Sequence, residues 1–165
     1  MSKIYIGIDN GVTGTIAFLK EDESVFVKTP VKTEQSYTKT KQKISRLDFL
    51  AVHDLFREHV AGKKCFAVIE RPMVNPGRFK AGLSAVRCLE STLILLEHFD
   101  IPYQYIDSKQ WQKELLPKGI MGAPELKSAS QDIGIRFFPQ HETLISKHGD
   151  ADALLMAEWA RRFNL

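Results

Sequence analysis

Lys3-Ile4-Tyr5-Ile6-Gly7-Ile8-Asp9-Asn10-Gly11-Val12-Thr13-Gly14-Thr15-Ile16-Ala17-Phe18 is the stretch that decides the fold. An apolar strand runs into an aspartate, a glycine-bearing turn follows, and a second apolar strand returns. Strands this close in sequence pair antiparallel, because parallel neighbours need a long crossover. Asp9 then stands where the buried sheet meets solvent, a useful place for a metal-binding carboxylate. Ala67-Val68-Ile69-Glu70 repeats the device, an apolar strand ending on an acid. Asp150-Ala151-Asp152-Ala153-Leu154-Leu155 places acids at the head of an apolar helix. Three acidic sites on three elements predict a divalent-metal site assembled by folding.

Working outward, Ile4–Asp9, Thr15–Leu19 and Val25–Lys28 read as an antiparallel meander, with turns at Asn10-Gly11 and Glu21–Ser24. Thr29 to Lys43 is polar and lysine-rich and reads as a mobile loop. Ser45 to Val60 has helical periodicity, with Ser45 as the cap. Cys65–Ile69 is apolar without alternation, the mark of a strand buried on both faces. Leu83–Phe99 is a long apolar helix, and Tyr103–Ile106 another strand. Asp107 or Ser108 caps a helix containing Trp111, and Pro117-Lys118-Gly119 breaks it. Pro124 opens a helix through Asp132. A last helix spans about Asp150 to Arg162. The order predicts an α/β fold with a five-stranded mixed sheet, its first three strands antiparallel, flanked by helices.

At 165 residues the chain suits one domain, 1–165, with a sizeable core. No apolar run reaches the ~20 residues of a membrane helix, and Met1-Ser2-Lys3 leads into a strand without a signal-peptide pattern. Cys65 and Cys88 lie in apolar stretches without metal-ligand spacing and read as reduced thiols of a cytoplasmic protein. The net charge of +3 is mild, but the basic residues are clustered. Lys28, Lys32, Lys39, Lys41, Lys43 and Arg46 form one stretch; Arg71, Arg78, Lys80 and Arg87 a second; Lys109, Lys113, Lys118 and Lys127 a third. Each lysine alone reads as a solvated side chain. Three such stretches around candidate acids would let an acidic site approach a polyanion.

Each acid also has a structural reading. Asp9 can serve the turn by bonding to the Gly11 backbone, Glu70 can pair with Arg71, and an aspartate in a helix's first turn stabilises the dipole. The glycines after Asp9, with Gly7 before it, leave room for close approach by a ligand. His148 is four residues before Asp152 and shares a face with it if the last helix begins early enough, in which case Asp150 points elsewhere.

The ordered set Ile6-Gly7-Ile8-Asp9, Val68-Ile69-Glu70 and Ala151-Asp152-Ala153-Leu154 resembles the RuvC-like Holliday-junction resolvases of the RNase H-like superfamily, closest in style to phage-encoded members. The resemblance covers nearly the whole chain. It implies an RNase H-like fold and two-metal phosphodiester hydrolysis of four-way or branched DNA, with two Mg²⁺ ions (Mn²⁺ substituting) about 4 Å apart. Asp9, Glu70 and Asp152 would be catalytic metal ligands. His148 is the favoured fourth ligand and catalytic residue, with Asp150 the alternative, since Gly149 stands where bacterial relatives carry an acid or histidine. Lys113 and Lys127 fall where the family contacts DNA, and Arg78 and Lys80 belong to the same DNA-binding set. Met73 takes the place of an aromatic wedge three residues after the glutamate. A two-fold junction implies a homodimer, and Leu83–Phe99, with Leu89, Leu93 and Leu96, is the expected dimer face. A phage-encoded member would act in the bacterial host cytoplasm, away from membranes. Two other readings remain: an actin-like ATPase or kinase, from the Asp9–Gly14 turn, and a non-catalytic branched-DNA-binding relative.

Overall fold

A computed structural model describes residues 3–165. The strands are β1 (Ile4–Ile8), β2 (Thr15–Leu19), β3 (Ser24–Lys28), β4 (Val31–Gln35), β5 (Lys43–Leu47), β6 (Cys65–Glu70) and β7 (Tyr103–Ile106). The helices are α1 (Phe49–Val60), α2 (Phe79–His98), α3 (Ser108–Leu115), α4 (Ala123–Phe137), α5 (Glu142–His148) and α6 (Asp152–Arg162). Five strands form one mixed sheet in the order β3-β2-β1-β6-β7. The first three pair antiparallel, and β1-β6 and β6-β7 pair parallel. This is the sheet the strand pattern predicts.

Alternation along β1 splits the core into two layers. Ile4, Ile6 and Ile8 face α1 and α2, packing with Phe18, Phe56 and Leu96. Tyr5 faces the opposite layer, where Trp111 of α3, Ile133 of α4 and Leu154 of α6 pack. Trp111 is fully buried, so truncating it to alanine would cost about 3–5 kcal/mol. Helices on both sides hide the central strands, which is why β1 and β6 are apolar runs rather than alternating ones.

The structure corrects several sequence expectations. Thr29–Lys43 is not a loop: β4 and β5 make a separate two-stranded hairpin, paired from Val31↔Leu47 to Gln35↔Lys43. Apart from Val31, Ile44 and Leu47 its strands are polar, so no apolar alternation announces them. One cross-strand ion pair ties them instead, Arg46 to Glu34 at 2.7 Å, and Lys32 adds a pair to Glu34 along β4 itself at 2.9 Å. Ser45 therefore lies in β5, and α1 starts at Phe49 with Asp48 as its cap, the Asp48 carboxylate accepting from the Ala51 N–H. Leu50 of α1 is exposed, and Val52, Phe56 and Val60 are its buried residues.

Helix α2 begins four residues earlier than the apolar run indicates, and α4 continues to Phe137. On α2, the proposed dimer residues turn inward: Leu96 is in the core, and Leu89 and Leu93 pack against it. The outward apolar residues are Phe79, Val86 and Ile94, and Glu90 and Glu97 stand exposed on the same helix. The wide apolar character of α2 comes from covering a sheet.

Candidate active site

Two acids are delivered by neighbouring strands. The parallel register pairs Ile8 with Ile69, so Asp9, just beyond β1, stands beside Glu70, the last residue of β6. The third comes from α6 through a backbone contact. A Cβ on Gly7 would overlap the Ala153 carbonyl and crowd the Ala157 N–H. Only glycine lets α6 lie this close to β1, and that closeness brings Asp152 to the carboxyl end of the sheet. The space at Gly7 is thus taken by a helix, not a ligand. Gly14 has a similar duty, since a Cβ there would overlap the Asp9 carbonyl. The glycines of the turn serve its own tight path. Arg71 does not pair with Glu70; it bonds to Asp107 at 3.0 Å.

The connection between α5 and α6 rearranges the expected C-terminal cluster. Gly149 adopts the left-handed conformation, φ 100°, and ends α5 directly after His148. His148 and Asp152 therefore sit on different helices and share no helix face. Asp150, in the short link, does not point away. It is buried, and Asp9, His148 and Asp150 offer ligand atoms that all lie within 4.8 Å of one another. His148 Nε2 is 3.8 Å from Asp150 Oδ1, and Lys127 Nζ is 3.7 Å from Asp150 Oδ2. The last helix does not begin early enough to include His148, because a single left-handed residue resets the direction of the chain.

Four carboxylates thus meet in a half-buried place. Burial, then the charges of Glu70 and Asp152, hold the Asp9 carboxyl well above its ordinary range; a hydrogen bond with Glu70 and the Asp150 charge push the same way. The Asp152 carboxyl is pushed up to about 7, chiefly by burial and then by Asp150, against the opposing Ser130 hydrogen bond. Ser130 is a residue that sequence reading missed. It is buried in α4, donates from Oγ to Asp152 Oδ1 at 2.6 Å and accepts from the Ala151 N–H at 3.1 Å. It orients Asp152 and ties the start of α6 to α4. No spacing signal marks it, because its partner is 22 residues away.

A divalent cation fits this donor set. The carboxylate oxygens are hard ligands suited to Mg²⁺, and the imidazole widens the choice toward Mn²⁺. A cation would also relieve the mutual repulsion that raises Asp9 and Asp152. In addition, Thr15 Oγ1 and Asn10 Oδ1 are buried beside Asp9 without a hydrogen-bond partner among the described residues.

Asp9, Thr15, His148 and Asp150 line a cleft of about 540 Å³ whose basic residues are Lys28, Lys127 and Lys147. Of the residues expected to bind DNA, Lys127 is in this cleft. Lys113 is on α3 and lines a separate hollow with Lys109 and Lys118. Met73, Arg78 and Lys80 are exposed on the segment from β6 into α2, with Met73 86% accessible. Lys28 was visible in the sequence only as a member of a charged stretch, and Lys147 was singled out by no sequence signal.

No protein-family model matches the chain, and no curated protein matches it. Among solved structures it is similar to RuvC of T. thermophilus in complex with Holliday junction substrate, at 14% identity and TM-score 0.55, over 98% of this chain and 96% of that one. It is also similar to a second Thermus thermophilus RuvC structure, at 15% identity and TM-score 0.51 over the same shares. Identity this low speaks for the fold: a mixed five-stranded sheet flanked by helices, RNase H-like in the manner of RuvC.

Proposed function

We propose that residues 1–165 form a single nuclease domain, a metal-dependent endodeoxyribonuclease that hydrolyses phosphodiester bonds in Holliday junctions or other branched DNA. The observation that carries this reading is the meeting of Asp9, Glu70, Asp150, Asp152 and His148 at one end of a RuvC-like sheet, in a cleft with basic walls. The similar RuvC structure is a complex with Holliday junction substrate, which supports branched DNA as the substrate class.

Asp9, Glu70 and Asp152 would hold Mg²⁺ or Mn²⁺, with His148 and Asp150 completing the set; when bound, the metal supplies an activated water and stabilises the leaving oxygen. The water oxygen attacks phosphorus, the bond to the 3′ oxygen breaks, and a 5′-phosphate and a 3′-hydroxyl result. Where His148 does not itself ligate the metal, its imidazole, 3.8 Å from Asp150, would take the proton from the attacking water. Ser130 keeps the Asp152 carboxylate turned toward the site. Lys28, Lys127 and Lys147 neutralise phosphates along the cleft, which makes affinity salt-dependent. Met73, Arg78 and Lys80 approach the duplex from the β6–α2 segment. Symmetric cutting calls for a homodimer, acting in the cytoplasm, of the host in the case of a phage-encoded protein. Among the described residues no helix is long and apolar enough to cross a membrane.

The test is to incubate the protein with a labelled synthetic four-way junction, with Mg²⁺, with Mn²⁺ and with chelator. Cutting in both metals and none in chelator is expected. Release of phosphate from ATP without any DNA cutting would overturn the reading in favour of an ATPase. Metal-independent junction binding without cutting would favour a non-catalytic relative.

A further inference from the structure

The β4–β5 hairpin takes no part in the acid site, yet it is the most cationic piece of the chain. Residues 31–47 carry five basic side chains and one acid, more net positive charge than the +3 of the whole protein. The single acid, Glu34, is occupied by Lys32 and Arg46. Lys39, Lys41 and Lys43 are exposed and have no carboxylate within 4.0 Å among the described residues.

The hairpin tip is ordered by its own hydroxyls. Ser36 Oγ lies 3.0 Å from Thr38 Oγ1, which lies 2.8 Å from Thr40 Oγ1. The residues between them, Tyr37 and Lys39, are left to solvent. Tyr37 is 78% exposed, and its ring is met by the Arg87 guanidinium of α2, 5.3 Å from the centroid. An aromatic ring this open, backed by a cation and flanked by lysines, is a stacking platform for a base.

The platform stands over a groove of about 570 Å³ between the hairpin and α2. Val12, in the turn that follows Asp9, also lines it. Asn10 fastens that turn to α2, donating from Nδ2 to the Ala85 carbonyl at 3.1 Å. The groove and the acid cleft thus lie on either side of one turn, with Val12 lining the groove and Asp9 and Thr13 lining the cleft. Glu90 is the one acid of its lining without a basic partner among the described residues.

We propose that this groove binds a single-stranded segment of the DNA substrate, with an unpaired base stacked on Tyr37 and the backbone phosphates on Lys39 and Lys41. The inference deepens the nuclease reading and rests on it for the identity of the strand. The aromatic ring argues for nucleic acid over an anionic lipid surface, which would need the lysines alone.

The test uses the full chain in chelator, so that nothing is cut, with a fluorescent 20-nucleotide single strand and a four-way junction as probes. Tyr37→Ala should weaken single-strand binding about tenfold, and Tyr37→Phe, which keeps the ring, should bind as the parent does. Replacing Lys39 and Lys41 together with alanine should lower the salt slope for the single strand by about 1.4. Glu90→Gln should tighten binding. Unchanged affinity in Tyr37→Ala would overturn the proposal. So would binding to phosphatidylserine vesicles that equals single-strand binding and ignores Tyr37. The two readings fail separately: a protein that cuts junctions while Tyr37→Ala binds normally loses only the groove. A protein that binds single strands through Tyr37 but cuts nothing in any metal loses only the nuclease reading.

Discussion

The acid cleft and the β4–β5 hairpin handle charge in opposite ways. The cleft gathers four carboxylates where burial raises two of them, and Lys127 and His148 are the basic groups that reach Asp150. The hairpin spreads its charge over exposed strands and pairs its only acid twice. Like charges in a half-buried place are destabilising until a cation arrives, whereas solvated charges cost little. The cleft therefore holds its acids at a cost in stability that a bound cation would relieve, whereas the hairpin is close to neutral for stability and its lysines are open to solvent.

The largest effect that sharpens this contrast is catalytic. Asp9→Asn should lower junction cutting roughly a thousandfold, about 4 kcal/mol of barrier, while binding in chelator is kept. Its stability in the absence of metal should rise, because a repelled carboxylate is gone; a fall in melting temperature would break the comparison. Next come Asp150→Asn and His148→Ala. Because both groups reach Asp9, each should lower cutting by about tenfold or more. Wild-type rates in Asp150→Asn would restore the view that this residue is outside the catalytic set.

Gly7→Ala tests the packing that assembles the cleft. The added methyl meets the α6 backbone, so stability should fall by about 1–3 kcal/mol, a drop of several degrees in melting temperature. An unchanged melting temperature would show that α6 can move aside.

A pH titration of the metal-free protein probes the charge itself. Asp152 has its folded pKa raised to about 7, and Asp9 is raised as well. Between the ordinary carboxylate range and about pH 7 the folded chain holds more protons than the unfolded one. The stability this confers is full below the unfolded pKa and is lost as pH rises through the folded one. The metal-free melting temperature should be higher at pH 5.5 than at pH 8, and Mg²⁺ should raise it more at pH 8 than at pH 5.5. A flat profile between those values would contradict the crowding of the acids. The smallest effect belongs to the hairpin: Glu34→Ala, which frees Lys32 and Arg46, should move the melting temperature by about one degree or less. A large drop would make the hairpin structural.

Strand-end acids and their order were legible in the chain because β1 and β6 are buried on both faces. A carboxylate closing such a run is costly to bury and must meet solvent or a cation at the sheet's edge. The capping signal at Asp107 was legible too, and the structure has the capping box with Gln110. The hairpin was not, since its mostly polar strands look, residue by residue, like a solvated loop.

By itself, then, the sequence determined the α/β sheet, its antiparallel start and three of the acids, all through local patterns of apolar residues. Which way Asp150 turns, that Ser130 holds Asp152, and that the hairpin meets α2 were decided by the tertiary structure. These depend on one left-handed glycine at 149 and on contacts between residues far apart in the chain. Local periodicity carries no trace of such contacts, because their free energy exists only once the layers have packed.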